Sequence, residues 1–154
     1  PARFDDLLRE TAAAKDSVGG IVECRAEGVM PALGEPFFDS TESLIAHLLF
    51  SVPAVKGVEF GSGFAAARMR GSETNHAGGI VGGLTNGNPL VVRAAVKPTA
   101  SIAHEQMTYN LATDRMEPLE IRGRHDVCIA LRAAVVVEAA VAIALEDLLL
   151  RCRA

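Results

Sequence analysis

The chain has 154 residues, 49% of them hydrophobic and 22% charged, with a formal net charge of −4. That length suits one domain with a sizeable core, and the composition excludes disorder as a description of the whole chain. The acidic balance and the absence of any run of five Lys or Arg residues exclude a general nucleic-acid surface, while leaving room for a few cations that converge on a small anion.

Cys24, Cys128 and Cys152 are odd in number and widely spaced, which argues against a disulfide framework or a thiolate zinc site and for a reducing, cytoplasmic compartment. The first residues, Pro-Ala-Arg-Phe-Asp-Asp, are polar and unlike a secretory signal; they also lack an initiator Met, as expected of a processed chain or a piece of a longer one.

In chain order, Phe4, Leu7, Leu8 and Ala12 fall on one helical stripe with Asp5 and Asp6 in the first turn, so the spacing predicts an amphipathic helix over residues 4–16, stopped by Gly19-Gly20. Val22, Cys24 and Ala26 alternate with Glu23, Arg25 and Glu27, the period of a half-buried strand with one solvated face. Asp39-Ser40-Thr41 offers several N-caps for a helix over about residues 42–51 that carries Leu44, Ile45, Leu48 and Leu49. Residues 55–60 read as a strand, residues 61–70 as a helical turn or two, and residues 90–96 as an apolar strand. Two strands over residues 106–111 and 119–122 are expected to form a hairpin around residues 112–118.

The last helix is expected over residues 127–150, capped by Asp126, with Arg151 and Arg153 placed well against the helix dipole. It is intensely apolar, but Arg132 and Glu138 would each cost roughly 2.5–3.5 kcal/mol at a bilayer centre, which favours a buried core helix over a membrane span. Strands cluster between helices rather than alternating with them, so the fold class is α+β with an antiparallel sheet packed on helices.

Four motifs bear on chemistry. Gly61-Ser62-Gly63-Phe64-Ala65-Ala66 matches a dinucleotide pattern, but the helix that follows is too short for a βαβ crossover and no acid stands about twenty residues on, so a glycine-rich turn is the better reading. The run Asn75-His76-Ala77-Gly78-Gly79-Ile80-Val81-Gly82-Gly83-Leu84-Thr85-Asn86-Gly87 has no Walker ending; it is either a flexible loop or backbone bared to approach a phosphate or a flat ring. Lys97-Pro98-Thr99-Ala100-Ser101 leaves an apolar strand with a cation and two hydroxyls, so Lys97 either snorkels to a sheet edge or sits over an anion. Gly123-Arg124-His125-Asp126 is either a capped helix start with a solvated cation or an anion and proton-transfer site. His47 and His104 have no partner at metal-ligand spacing, and no metal is expected.

Taken together and in order, residues 74–83, Asn86-Gly87, Lys97-Pro98-Thr99 and Gly123-Arg124-His125-Asp126 resemble the chorismate synthases, as do Arg3-Phe4-Asp5-Asp6, Ser17-Val18-Gly19-Gly20, Ala54-Val55-Lys56-Gly57-Val58-Glu59 and Arg70-Gly71-Ser72-Glu73. The resemblance implies a β-α-β sandwich, with helices packed between antiparallel sheets and a tetrameric assembly. It implies a cytoplasmic lyase that converts 5-enolpyruvylshikimate 3-phosphate to chorismate by 1,4-elimination of phosphate, using reduced FMN, with NADPH as a candidate reductant. Flavin contacts carried over residue by residue are Pro53, Ala54, Gly82, Lys97, Pro98, Thr99, Ala100, Ser101 and Arg124. Arg124 would also meet the substrate phosphate, and Asp126 corresponds to a catalytic aspartate.

Three departures from the family pattern carry expectations of their own. Val127 and Val135 stand where prolines are usual, and the second change should leave the helix unkinked. A polar segment usual in the family is missing between Glu73 and Thr74, read here as an absent disordered loop. The chain corresponds to the C-terminal half, so a Gly-x-Ser-His-Gly motif and most substrate-holding arginines are missing, and the piece alone should have little or no activity. The rival readings are a non-catalytic binding or assembly domain of the same fold and a flavin oxidoreductase, the latter lacking any site for a substrate hydride.

Overall fold

Strand β5 (Leu90–Val96) is the axis of the larger of two compact units, which comprises residues 21–96 and 130–154; the other comprises residues 1–20 and 97–129. The computed structural model describes residues 2–73 and 76–153, so the junction at residues 73–74, where the missing loop is expected, lies outside the described residues.

In the larger unit β5 lies between β1 (Gly20–Ala26) and β2 (Val55–Phe60). Strands β2 and β5 pair antiparallel with Glu59 opposite Arg93 and an irregularity between Val55 and Gly57. Leu90, Val92, Ala94 and Val96 are buried, while Val91, Arg93 and Ala95 alternate onto the other face, as a period of two requires. The buried face meets α3 (Ala130–Arg153), and α3 in turn packs on α2 (Thr41–Ser51). Ala130, Ala133, Val137, Ala140, Val141, Ala144 and Leu148 form the inward stripe of α3, recurring every three or four residues. Ile45, Leu49, Leu90, Val92 and Val137 are fully buried, each contributing roughly 1.5–3 kcal/mol of transfer free energy. Helix α2 starts where the sequence places it: Ser40 is the N-cap, its hydroxyl accepting the Ser43 N–H at 3.1 Å.

Helix α3 runs unbroken through Val135, as expected of a helix without the second proline. Its start differs from expectation. The first helical residue is Ala130, four positions beyond Asp126, so Asp126 is not its N-cap and Val127 is not in its first turn. The apolar run from Val127 hid this boundary, because Val127, Cys128 and Ile129 continue the hydrophobic pattern without being helical.

The glycine run also has more structure than its composition suggests. Strands β3 (Ile80–Val81) and β4 (Leu84–Thr85) form a minimal antiparallel hairpin closed by Gly82 and Gly83 at φ of 62° and 84°. Two successive positive φ values are the requirement of a type I′ turn, which only glycine meets without strain. Thr85 anchors the hairpin: its buried hydroxyl accepts the Leu33 N–H at 2.9 Å and donates to the Met30 carbonyl at 2.6 Å. The Gly61–Ala66 motif becomes a short 3-10 helix (Gly63–Arg68), not the opening of a crossover.

In the other unit, α1 (Ala2–Ala13) ends three residues earlier than the pattern predicts. The stop is not Gly19-Gly20 but a Schellman motif: Asp16 N–H donates to Thr11 O and Lys15 N–H to Ala12 O, both at 3.1 Å, with Lys15 left-handed at φ 57°. The hairpin exists, but its second strand is shifted: β6 (Gln106–Asn110) pairs with β7 (Arg115–Leu119) in place of residues 119–122. Pro118 argued against a strand there; in a two-stranded ribbon its missing N–H can face outward, as on any sheet edge.

Candidate functional site

The expected site residues fall in both units. In the larger unit, Pro53 and Ala54 make the turn from α2 into β2, closed by the Val55 N–H on Val52 O at 3.3 Å. Proline at the second position and a positive φ at the third are the type II pattern, and Ala54 holds φ 71° without being glycine. Gly82 is at the exposed tip of the β3–β4 hairpin, where a Cβ would meet nothing within 4 Å. These positions offer backbone rather than charge.

In the other unit the sequence brings together the two segments that carry charge. Lys97, Pro98, Ala100 and Ser101 are exposed as the chain leaves β5, and Thr99 is half-buried. Arg124 is exposed, whereas His125 and Asp126 are half-buried and Asp126 is not a free group. The His125 ring lies 3.1 Å from Ile121 O, closing a tight loop beneath Gly123. Residues 17–19 join the two segments: Ser17 Oγ donates to Thr99 O at 2.6 Å, and Val18 N–H donates to Val127 O at 2.8 Å. Cys128 Sγ–H makes a longer contact with Gly19 O at 3.9 Å. Sequence reasoning listed Ser17-Val18 only among segments of resemblance; their role depends on pairings across more than eighty residues, for which a single sequence carries no local signal.

Of the two buried polar atoms without a partner among the described residues, Arg93 Nε and Thr99 Oγ1, the second lies in this unit, a costly state for a hydroxyl. Lys97 and Arg124 add an exposed ammonium and an exposed guanidinium on the two tethered segments, donor types that suit a phosphate-bearing group. Nothing in the described residues gathers three His, Cys, Asp or Glu side chains in a manner that could hold a metal ion. None of the described helices is long and apolar enough to cross a membrane.

A broad open recess of about 560 Å³ lies elsewhere, on the sheet face of the larger unit away from α2 and α3. It is bounded by Arg25, Ser62, His76, Val91 and Arg93, and contains none of the expected cofactor residues. Arg93 is partly engaged there, its Nη2 with Glu59 at 3.0 Å and the Gly61 carbonyl at 2.7 Å, while its buried Nε has no partner among the described residues. Its size reflects an uncovered sheet face rather than the chemistry of the charged segments.

The architecture is that of an α+β protein with an antiparallel sheet packed on helices. Residues 1–150 match the family model described as chorismate synthase. A chorismate synthase of Chitinophaga pinensis is 59% identical over 156 aligned residues, covering 93% of this chain and 47% of the relative. One of Dehalococcoides mccartyi is 49% identical, covering 94% of this chain and 44% of the relative. A crystal structure of chorismate synthase superposes with a TM-score of 0.77 at 32% identity, over 97% of this chain and 43% of that one. The chain belongs to the chorismate synthase family. It spans less than half the length of these relatives.

Proposed function

We propose that this chain supplies one wall of an active site that eliminates phosphate from 5-enolpyruvylshikimate 3-phosphate to give chorismate, a step of aromatic amino-acid biosynthesis. The observation that carries the reading is the family match over residues 1–150, which includes both charged segments. The opposite wall, with its Gly-x-Ser-His-Gly motif and further arginines, would come from sequence outside this chain. In the assembled enzyme, a cytoplasmic homotetramer in this reading, the two walls enclose the substrate.

Each residue has a task in that scheme. The Arg124 fork matches two oxygens of the leaving phosphate, neutralising charge as the C3–O bond breaks. Lys97, Thr99 and Ser101 offer one cation and two hydroxyls to the phosphate tail of FMN. Pro98 and Ala100 space these donors; in the larger unit, taken by itself, Pro53, Ala54 and Gly82 offer backbone that a flat ring can approach. Reduced FMN, when bound, supplies electron density to the allylic system as phosphate departs, with no net redox change. The Asp126 carboxylate holds the proton lost from C6, a role open to it because it is not needed as a helix cap.

The test is a graft. The 154 residues replace the matching segment of the Chitinophaga pinensis relative, and chorismate formation is followed with reduced FMN. The graft should turn over, the isolated chain should not, and Asp126→Asn in the graft should lower kcat by about 100-fold or more, the scale of a lost proton-transfer group. A folded graft without flavin-dependent turnover would overturn the function; near-normal turnover of the Asp126→Asn variant would overturn that residue's role.

A further inference from the structure

We infer that Ser17 is a positioning residue that couples the Lys97–Ser101 segment to the Arg124–Asp126 segment, so that both present their donors to one ligand. The proposal rests on the functional reading above and adds to it a residue that touches neither cofactor nor substrate.

The argument begins at the end of α1. The Schellman motif at Lys15 turns the chain sharply, and the Asp16 carboxylate accepts the Ser17 N–H at 2.7 Å, which fixes the Ser17 backbone. The Ser17 hydroxyl is then aimed at Thr99 O, a short and part-buried bond at 2.6 Å between residues 82 apart in sequence. The next residue, Val18, donates its N–H to Val127 O at 2.8 Å. Two consecutive residues thus hold the two segments, one by side chain and one by backbone.

Since losing the Val18 N–H would take a proline, the side-chain half of that clamp is the one that a conservative substitution removes. Its loss frees the carbonyl of Thr99, the residue whose own hydroxyl has no partner among the described residues. Both polar groups of Thr99 would then be unsatisfied, so the peptide is expected to rotate toward solvent and carry Lys97 and Ser101 with it. Threonine at position 17 keeps the donor, whereas alanine removes it.

The consequences are measurable in two independent ways. In the isolated chain, Ser17→Ala should speed amide exchange of Val18 and Ile102, the hydrogen-bonded amides beside the clamp, by about tenfold, the scale of one lost hydrogen bond, and leave the α2, α3 and β5 amides unchanged. Ser17→Thr should restore the original rates. In the graft, Ser17→Ala should raise the Kd for FMN about tenfold with a smaller change in kcat at saturating flavin, and Ser17→Thr should again restore it. Exchange that rises evenly through the chain, or stays unchanged at Val18 and Ile102, would show an ordinary stabilising bond and overturn the inference. So would a Kd for FMN unaltered by Ser17→Ala. If the unsubstituted graft binds no FMN, the functional reading fails, while the exchange pattern still decides whether Ser17 couples the segments.

Discussion

Lys15 occupies the one position of the α1 terminus that glycine usually fills, at φ 57°. Its Cβ makes that conformation unfavourable, so Lys15→Gly should stabilise the chain by about 0.5–1 kcal/mol, read as a higher urea midpoint at unchanged m. Ala54 carries a similar strain at the turn from α2 into β2. Cys24 presents a different residue-scale effect. Burial, and then the Glu138 carboxylate, raise its thiol above the ordinary value of 9.0. The folded chain keeps this proton when the unfolded chain has lost it, so the contribution is complete below pH of about 9 and declines as pH climbs through the raised value. Between pH 8 and 10.5 the unfolding midpoint of Cys24→Ala should therefore fall less steeply than that of the unsubstituted chain. At this scale the sequence exposed residue types but not their partners. Asp126 read as a cap because acids usually precede helices, and Lys15 passed unnoticed because nothing about lysine suggests a left-handed turn.

Among the elements, the β6–β7 hairpin depends most on charge. Thr113 Oγ1 at 2.6 Å and Asn110 Nδ2 at 2.8 Å both donate to the Glu117 carboxylate, which these bonds hold below the usual carboxylate range. That contribution is present above the ordinary value of 4.5 and is lost as pH falls through the lower, folded one. Acidification below pH of about 4 should therefore loosen residues 106–119 ahead of the remainder, seen as faster exchange or lost cross-strand NOEs, and Glu117→Gln should blunt the effect. Element types were largely legible: the period of two in β1, the apolar run of β5 and the stripe in α2 needed no tertiary information. Boundaries were less so. The start of α3 was masked by three apolar residues that are not helical, and β7 by a proline tolerated at an edge. The β3–β4 hairpin was hidden because two residues per strand are too few to show any period.

For the molecule as a whole, the notable surface is the outer side of α3. Leu131, Val135, Ile143 and Leu150 are 57–67% exposed on a helix whose other side is fully buried. An apolar area of this kind favours association when the chain stands alone. Sedimentation should show concentration-dependent self-association of the isolated 154 residues, and Val135→Lys with Ile143→Lys should shift the distribution toward monomer with little change in unfolding midpoint. The family was legible as an ordered set of motifs, because glycine pairs, Lys-Pro-Thr and Gly-Arg-His-Asp each bring a chemistry of their own. What ties them together was not, since Ser17 meets Thr99 through folding alone.

The unit that holds the charged segments is interrupted in sequence, its residues 1–20 and 97–129 flanking most of the other unit, which is itself completed only by residues 130–154. During synthesis, Ser17 leaves the ribosome long before Thr99 exists, and the larger unit lacks α3 until the end. The smaller unit cannot close before residues 97–129 are made, nor the larger one before α3 follows. Closing an 82-residue loop adds an entropic barrier that local contacts do not offset early. A truncation before α3 should then open the larger unit to aggregation and proteolysis, while the smaller unit keeps all of its residues.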